Sequence, residues 1–172
     1  MNFATSFNSL RFVLSPIKKE DSIVLFEAVT SESFPVQLPL AKLNTLDLAN
    51  TWCTEKVEEW ASNACYVWSC RQNVTSNLLG QITLVPQKDY LMLAYWVHPS
   101  HWGKGIATEM CRALIQHLSQ SGYQGKIWAG VHNWNTKSES VLAKLGFELT
   151  NKSNEEENGE STREYSLLLA AC

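Results

Sequence analysis

The chain has no run of about 18 apolar residues of the kind that crosses a bilayer, no CxxC pair, and no Cys/His spacing of the kind that zinc requires. These absences argue against a membrane span and a structural metal. Its start, MNFATSFNSLRFVLSPIKKED, also lacks the basic opening, continuous apolar run and small-residue cleavage site of a secretory leader, so the expected setting is the cytoplasm. Charge of either sign is scarce in excess: the formal net charge is -3, which leaves no electrostatic footprint for a nucleic-acid backbone. Internal repeats, linkers and Pro/Gly-rich stretches are missing as well, which points to one domain over residues 1–172. Five cysteines, an odd number without paired spacing, read as reduced thiols, with Cys111 a small hydrophobe on a helical stripe.

What is present is a chain that is 45% apolar, enough for a self-sufficient core. Ser6 to Leu14 alternates, with Leu10, Phe12 and Leu14 on one side, and reads as a half-buried strand stopped by Pro16. Lys18 to Thr30 is compatible with an amphipathic helix, and residues 31–44, with Pro35 and Pro39, read as a connection. Thr45 is placed to cap a second helix from Leu46 to about Asn63, with Leu48, Trp52, Val57 and Trp60 turned inward. Cys65–Arg71, Leu79–Val85 and Tyr90–Val97 follow as an antiparallel meander joined by NVTSN and PQKD. Ile106–Ser121 carries the cleanest helical stripe and ends at Gly122. Then come a strand over Lys126–Val131, a helix over Thr136–Leu145, and strands near Phe147–Asn151 and Arg163–Leu169, with NKSNEEENGES between them as a solvated hairpin tip. The order predicts a mixed α+β domain around one sheet of about seven strands.

One stretch asks for chemistry. In VHPSHWGKGIATEMC a strand ends at Val97, Pro99 breaks the ladder, and two glycines around a lysine lead directly into a helix. Glycines let backbone approach a ligand, and a fresh helix start offers unpaired amides that suit an anion. A P-loop is excluded twice, because His98 stands five before Gly103 and Gly105 stands where Ser or Thr holds magnesium. A dinucleotide fingerprint needs glycine at position 108, which is Thr108, and a preceding βαβ unit in place of a meander. What remains is a loop whose amides, roughly Trp102 to Ala107, wrap a pyrophosphate without metal, with Lys104 adding charge or merely solvated; the alternative is a tight turn and nothing more.

YWVHPSHWGKGIATEMCRAL, followed about thirty residues on by NWNTKSESVLAKLGFEL, resembles the acetyl-CoA binding half of the GNAT N-acetyltransferase superfamily. The aromatic YW before V-x-P, the WGKG loop, the ATE opening, and Asn135, Ser138, Leu145, Gly146 and Phe147 are similar to its RimJ/RimL branch of ribosomal-protein N-terminal acetyltransferases. The likeness is strong from about Leu79 to Phe147 and weak over Ser31 to Asn63. It implies a central, mixed, mostly antiparallel sheet with helices on both faces and a cleft where two strands splay apart. Acetyl-CoA is then the co-substrate, held by Trp96, Val97, Trp102, Gly103, Lys104, Gly105, Ile106, Ala107 and Asn135, and a backbone N–H near Trp96 or Val97 donates to the acetyl carbonyl.

Three positions depart from the family pattern. Ser100 stands where the loop signature has Gln or Arg, Leu142 where many members carry an acidic Tyr, and Met92 where the ribosomal branch often carries Glu. Ser138, one helical turn after Asn135, is the replacement acid, unless it merely braces the helix. Tyr95, His98, His132 or a water chain remain for deprotonating the acceptor, and Trp102 and Trp134 line the pocket or the core. An alpha-amine needs little help, since its reference pKa near 8 leaves a neutral fraction at cellular pH. The resemblance therefore implies acetylation of a protein N-terminus. A polyamine, aminoglycoside or amino-acid derivative is the alternative acceptor, and a non-catalytic acyl-CoA-binding domain the alternative class. The final STREYSLLL reads as an edge strand open to pairing in a homodimer, which nothing in the sequence requires.

Overall fold

The computed structural model describes residues 3–152 and 161–170. The expected NKSNEEENGES tip falls largely outside them. Eight strands form one sheet: β1 Phe7–Asn8, β2 Phe12–Pro16, β3 Tyr66–Gln72, β4 Leu78–Pro86, β5 Tyr90–Val97, β6 Gly125–His132, β7 Glu148–Lys152 and β8 Thr162–Leu169, in the order β1-β2-β3-β4-β5-β6-β8-β7. All neighbours are antiparallel except β5 and β6. Four helices, α1 Ser22–Val29, α2 Leu46–Ala61, α3 Ile106–Gln120 and α4 Thr136–Lys144, complete the fold. Among the described residues no helix is long and apolar enough to cross a membrane.

Strand alternation divides the core between two faces of the sheet. Leu14, Trp68, Ile82, Leu93, Ile127 and Val131 pack against α3 and α4, while Ile17, Val67 and Trp96 pack against α1 and α2 with Leu25, Ala49 and Cys53. The four described cysteines, Cys53, Cys65, Cys70 and Cys111, are buried and unpaired, and burial pushes the Cys53 and Cys70 thiols up to about 12.

Four expectations are corrected. The single strand over Ser6–Leu14 is a hairpin: Ser9 Oγ accepts from the Phe12 amide at 3.0 Å, and Leu10 is expelled, 91% exposed. Thr45 does cap α2, accepting from the Leu48 amide at 3.2 Å, and Trp52, Val57 and Trp60 pack part-buried against the cores, but Leu48 is 45% exposed and the fully buried residues are Ala49 and Cys53. Small side chains let α2 lie close to α1, while Trp60 packs edge-on against Tyr66 and Trp68. The sheet has eight strands because the hairpin adds one. The last strand, β8, is interior, flanked by β6 and β7, so β7 and not STREYSLLL is the edge.

Candidate active site

The parallel pairing of β5 with β6 covers only Tyr90, Met92 and the residue between them, against Lys126 to Trp128. Beyond it the two strands part. Hydrogen bonds from His98 to Leu79 O at 2.8 Å and from Gln87 to Tyr90 O at 2.8 Å fix the parity of the β4–β5 ladder. Even-numbered residues of β5 therefore bond to β4, and the amides of Leu93, Tyr95 and Val97 face the gap with the carbonyls of Leu93 and Tyr95, while the Val97 carbonyl is taken by the Trp102 indole. At a rise of about 3.3 Å per residue this free edge is about 13 Å long. The Trp96 amide belongs to the paired set, so the donor at the gap is Val97.

Trp96 contributes otherwise. Its indole Nε1 donates to Gln81 Oε1 at 3.1 Å, Gln81 Nε2 donates to Ser69 Oγ at 3.0 Å, and Ser69 Oγ donates to Asp21 Oδ2 at 2.6 Å. Arg71 closes this relay by an ion pair with Asp21, which is 4% exposed. Beneath the same point, a Cβ on Gly80 would lie 2.2 Å from the Trp96 carbonyl oxygen, so only glycine lets β4 approach.

The glycine loop continues from Val97. Gly103 has φ +76° and Gly105 φ +72°, left-handed values that a side chain resists, and a Cβ at Gly103 would meet nothing within 4 Å. Gly105 is the N-cap of α3 and has no side chain to cap it. None of the described hydrogen bonds uses the amides of residues 103–108, so the helix start opens onto a row of donors. The Trp102 amide is not in that row, because it donates to Pro99 O at 3.2 Å. Its indole donates to Val97 O at 2.8 Å, and Lys137 Nζ lies 4.6 Å from its ring centre, which makes Trp102 a brace across the cleft mouth. Ile106 is buried and Lys104 is exposed.

Residues far away in sequence hold this loop. Glu109, in the first turn of α3, accepts from Ser9 Oγ at 2.7 Å, the Arg11 amide at 2.9 Å and Arg11 Nε at 2.6 Å, and Arg11 Nη2 donates to Lys104 O at 3.1 Å. Burial pushes the Glu109 carboxyl up, but the bonds from Ser9 and Arg11 outweigh it and hold the carboxyl below the usual range. Nothing in the sequence marks Arg11 for this part beyond its place at an exposed turn.

Across the gap stands α4. Asn135 Oδ1 accepts from the Ser138 amide at 3.1 Å, so its carbonyl oxygen caps the helix and its amide group is what it has left to offer. Glu139 receives Arg163 Nη1 at 2.5 Å and Tyr165 Oη at 3.1 Å, tying α4 to β8. Ser138 Oγ shares a 2.7 Å hydrogen bond with Tyr95 Oη from the free edge of β5. Burial pushes the Tyr95 hydroxyl well above the ordinary tyrosine range, which disqualifies it as a base and keeps it a donor at any cellular pH. His98 is engaged by Ser100, Oγ to Nδ1 at 2.8 Å, and His132 stacks on Trp134 with ring centres 5.5 Å apart. The structure thus joins Tyr95 on β5 to Ser138 on α4, with Asn135 at the start of α4 and the glycine loop at the mouth of the gap.

A family model described as "Acetyltransferase (GNAT) domain" matches residues 11–148. Among curated relatives, the chain is 21% identical over 141 residues to an uncharacterized N-acetyltransferase, YoaA, of Bacillus subtilis, covering 80% of each chain. Among solved structures it superposes on Mycobacterium smegmatis RimJ in complex with CoA-disulfide with a TM-score of 0.78 at 18% identity, covering 96% of this chain and 88% of that one. It likewise superposes on RimL, a ribosomal alpha-N-protein acetyltransferase in complex with coenzyme A, with a TM-score of 0.81 at 16% identity, covering 94% and 96%.

Proposed function

This chain belongs to the GNAT acetyltransferase family and is an N-acetyltransferase, and from that premise we propose that it moves the acetyl group of acetyl-CoA to the alpha-amine of a protein N-terminus in the cytoplasm, as one domain over residues 1–172. The observation that carries the proposal is the meeting of a 13 Å free strand edge, by the rise of about 3.3 Å per residue, with an uncapped helix start. An extended thioester arm suits the first, and a pyrophosphate suits the second.

The residues fit that co-substrate. The amides of Gly103, Lys104, Gly105, Ile106 and Ala107 receive the pyrophosphate, and the left-handed glycines are what aim them. Val97 lends its amide at the gap, Asn135 its amide group from the far wall, and Trp96 and Trp102 hold the loop's root in place. Bound acetyl-CoA supplies the activated acyl carbon. Ser138 Oγ gives its proton to the departing sulfur and regains one from solvent, which takes up the proton lost by the attacking amine, while Tyr95 donates to Ser138 and orients it. The acid missing at Leu142, which is fully buried, is thereby supplied by Ser138, with Tyr95 of β5 behind it. A protein N-terminus is favoured over a small amine because Ala94 and Gly130, on the α1/α2 side of the two parted strands, are exposed and leave that approach open. RimJ and RimL share the fold.

The test is thiol release from acetyl-CoA with peptides whose N-terminus is free or blocked, with the acetylated atom located by mass spectrometry. Acetylation of free N-termini only is expected; acetylation of lysine side chains or small amines alone overturns the acceptor. Calorimetric binding of coenzyme A lost in Gly105→Glu checks the loop. Tyr95→Phe is expected to lower kcat about tenfold or more with little change in KM.

A further inference from the structure

The core under α1 and α2 takes nothing from β6, β7 or β8, so one face of those strands is bare. Pairing places Lys126, Trp128 and Gly130 of β6 on that face beside Leu168, Ser166 and Glu164 of β8, while Ile127, Ala129, Val131 and Tyr165 turn into the other core. The bare face holds a recess of about 440 Å³ with Trp128 and Ser166 in its middle, Tyr90 and Lys126 at one end, and Glu164 and Asn151 at the other.

The recess is polarised. Lys126 Nζ lies 5.2 Å from the Tyr90 ring centre, and the Tyr90 and Trp128 rings are 5.9 Å apart. A Cβ on Gly130 would lie 2.8 Å from Trp128 Cη2, so the missing side chain is what lets the indole lie along the strand toward the gap. Glu164 is the cross-strand partner of Gly130, and at that level β6 has already left β5. Neither Glu164 nor Lys126 has an ion pair among the described residues. Four residues of strand separate their levels, about 13 Å at a rise of 3.3 Å each.

We propose that this recess seats the acceptor peptide along β6, its ammonium drawn to Glu164 beside the gap and an acidic side chain at its fourth or fifth residue matched to Lys126. The proposal rests on the acetyltransferase reading above. A carboxylate at the entrance concentrates cationic amines, and an aromatic wall accepts the flat face of an extended backbone. Position two of the peptide faces Glu164, so an acid there is repelled. Charge is read by register and not by composition.

The experiment uses the full chain and hexapeptides with a free N-terminus and a single Glu walked from residue 2 to residue 6. Two readouts are taken in parallel: acetylation with acetyl-CoA, and quenching of tryptophan fluorescence by peptide alone, with Trp128→Phe as the control that removes the recess signal. The expected result is an optimum at residue 4 or 5, about five- to tenfold in kcat/KM over residue 2. Lys126→Glu should move that preference to a Lys at the same positions, and Glu164→Gln should weaken every free-amine peptide about equally. Lys126 is exposed, so the reversal leaves the fold alone. Acetylation that is flat along the Glu walk and unmoved by Lys126→Glu overturns the recess while keeping the acetyltransferase. Register-dependent quenching without acetylation supports the recess and overturns the N-terminal acceptor. No quenching and no register dependence overturns the recess.

Discussion

The Arg11–Glu109 strap runs from the first hairpin to the glycine loop after β5, and the relay under α1 runs from Asp21 to Trp96 at the end of β5, yet one is solvent-exposed and the other lies in the core. In the strap, the Arg11 and Glu109 side chains are 46% and 19% exposed; in the relay, Arg71 and Asp21 are 19% and 4% exposed. Water screens the first and not the second. A buried carboxylate and guanidinium are tolerated only while each has the other, so the relay is a fixed wall against which Trp96 is set. The strap instead orders a loop that no core side chain reaches, and its worth lies in holding donors ready for a ligand. Two neighbouring parts of one cleft lip are thus held by devices of different strength.

The largest expected effect comes from breaking the relay. Asp21→Ala leaves the largely covered Arg71 without a counter-charge and should cost about 3 kcal/mol, read from the denaturant midpoint. The double change with Arg71→Met should recover much of it; a loss in Asp21→Ala no larger than that of a surface pair would erase the distinction between the two devices. Next is Gly80→Ala, which forces the Trp96 carbonyl away and should cost about 1–3 kcal/mol, with coenzyme A affinity falling in parallel. Loss of stability without loss of affinity would separate β4 from the lip. Arg11→Ala should lower stability by less than about 1 kcal/mol, because the pair is exposed, yet weaken coenzyme A binding several-fold in calorimetry. The smallest effect is in pH. The folded-state Glu109 carboxyl titrates below its ordinary value, so its contribution is complete above about pH 5 and is lost as pH falls through the depressed folded value. The stability gap between wild type and Arg11→Ala should therefore be full at pH 7 and close in acid, and 1 M salt should narrow it at any pH.

The same division separates what sequence reveals from what it hides. Strands β3, β4 and β5 were readable within a residue or so because their alternation is bounded by turn residues, and α3 because its apolar stripe is unbroken. The glycine loop was readable too, since conformational demands on Gly103 and Gly105 are local. Leu10 misleads, because it continues an alternation that the hairpin turn between Ser9 and Phe12 interrupts. Ala49 and Cys53 carry little periodic signal beside Trp52, Val57 and Trp60, yet they are the residues of α2 that close helix packing buries completely. The relay was invisible: Asp21, Ser69 and Gln81 look like ordinary polar residues until three strands and a helix bring them together. Glu164 lies out of phase with Tyr165, Leu167 and Leu169 in REYSLLL, a signal that its side chain faces away from them, but only the sheet order shows what it faces.

One consequence of the strap concerns the order in which the protein becomes itself. Arg11 and Glu109 stand 98 residues apart. At about 5–20 residues per second of synthesis, the first hairpin emerges about 5–20 s before its partner exists. During that interval Arg11 has no Glu109 to grip, and the glycines have not been made. The anion seat therefore matures only after the first five strands have been made, and a nascent chain carrying those strands is still unable to hold the ligand that the finished one is built around.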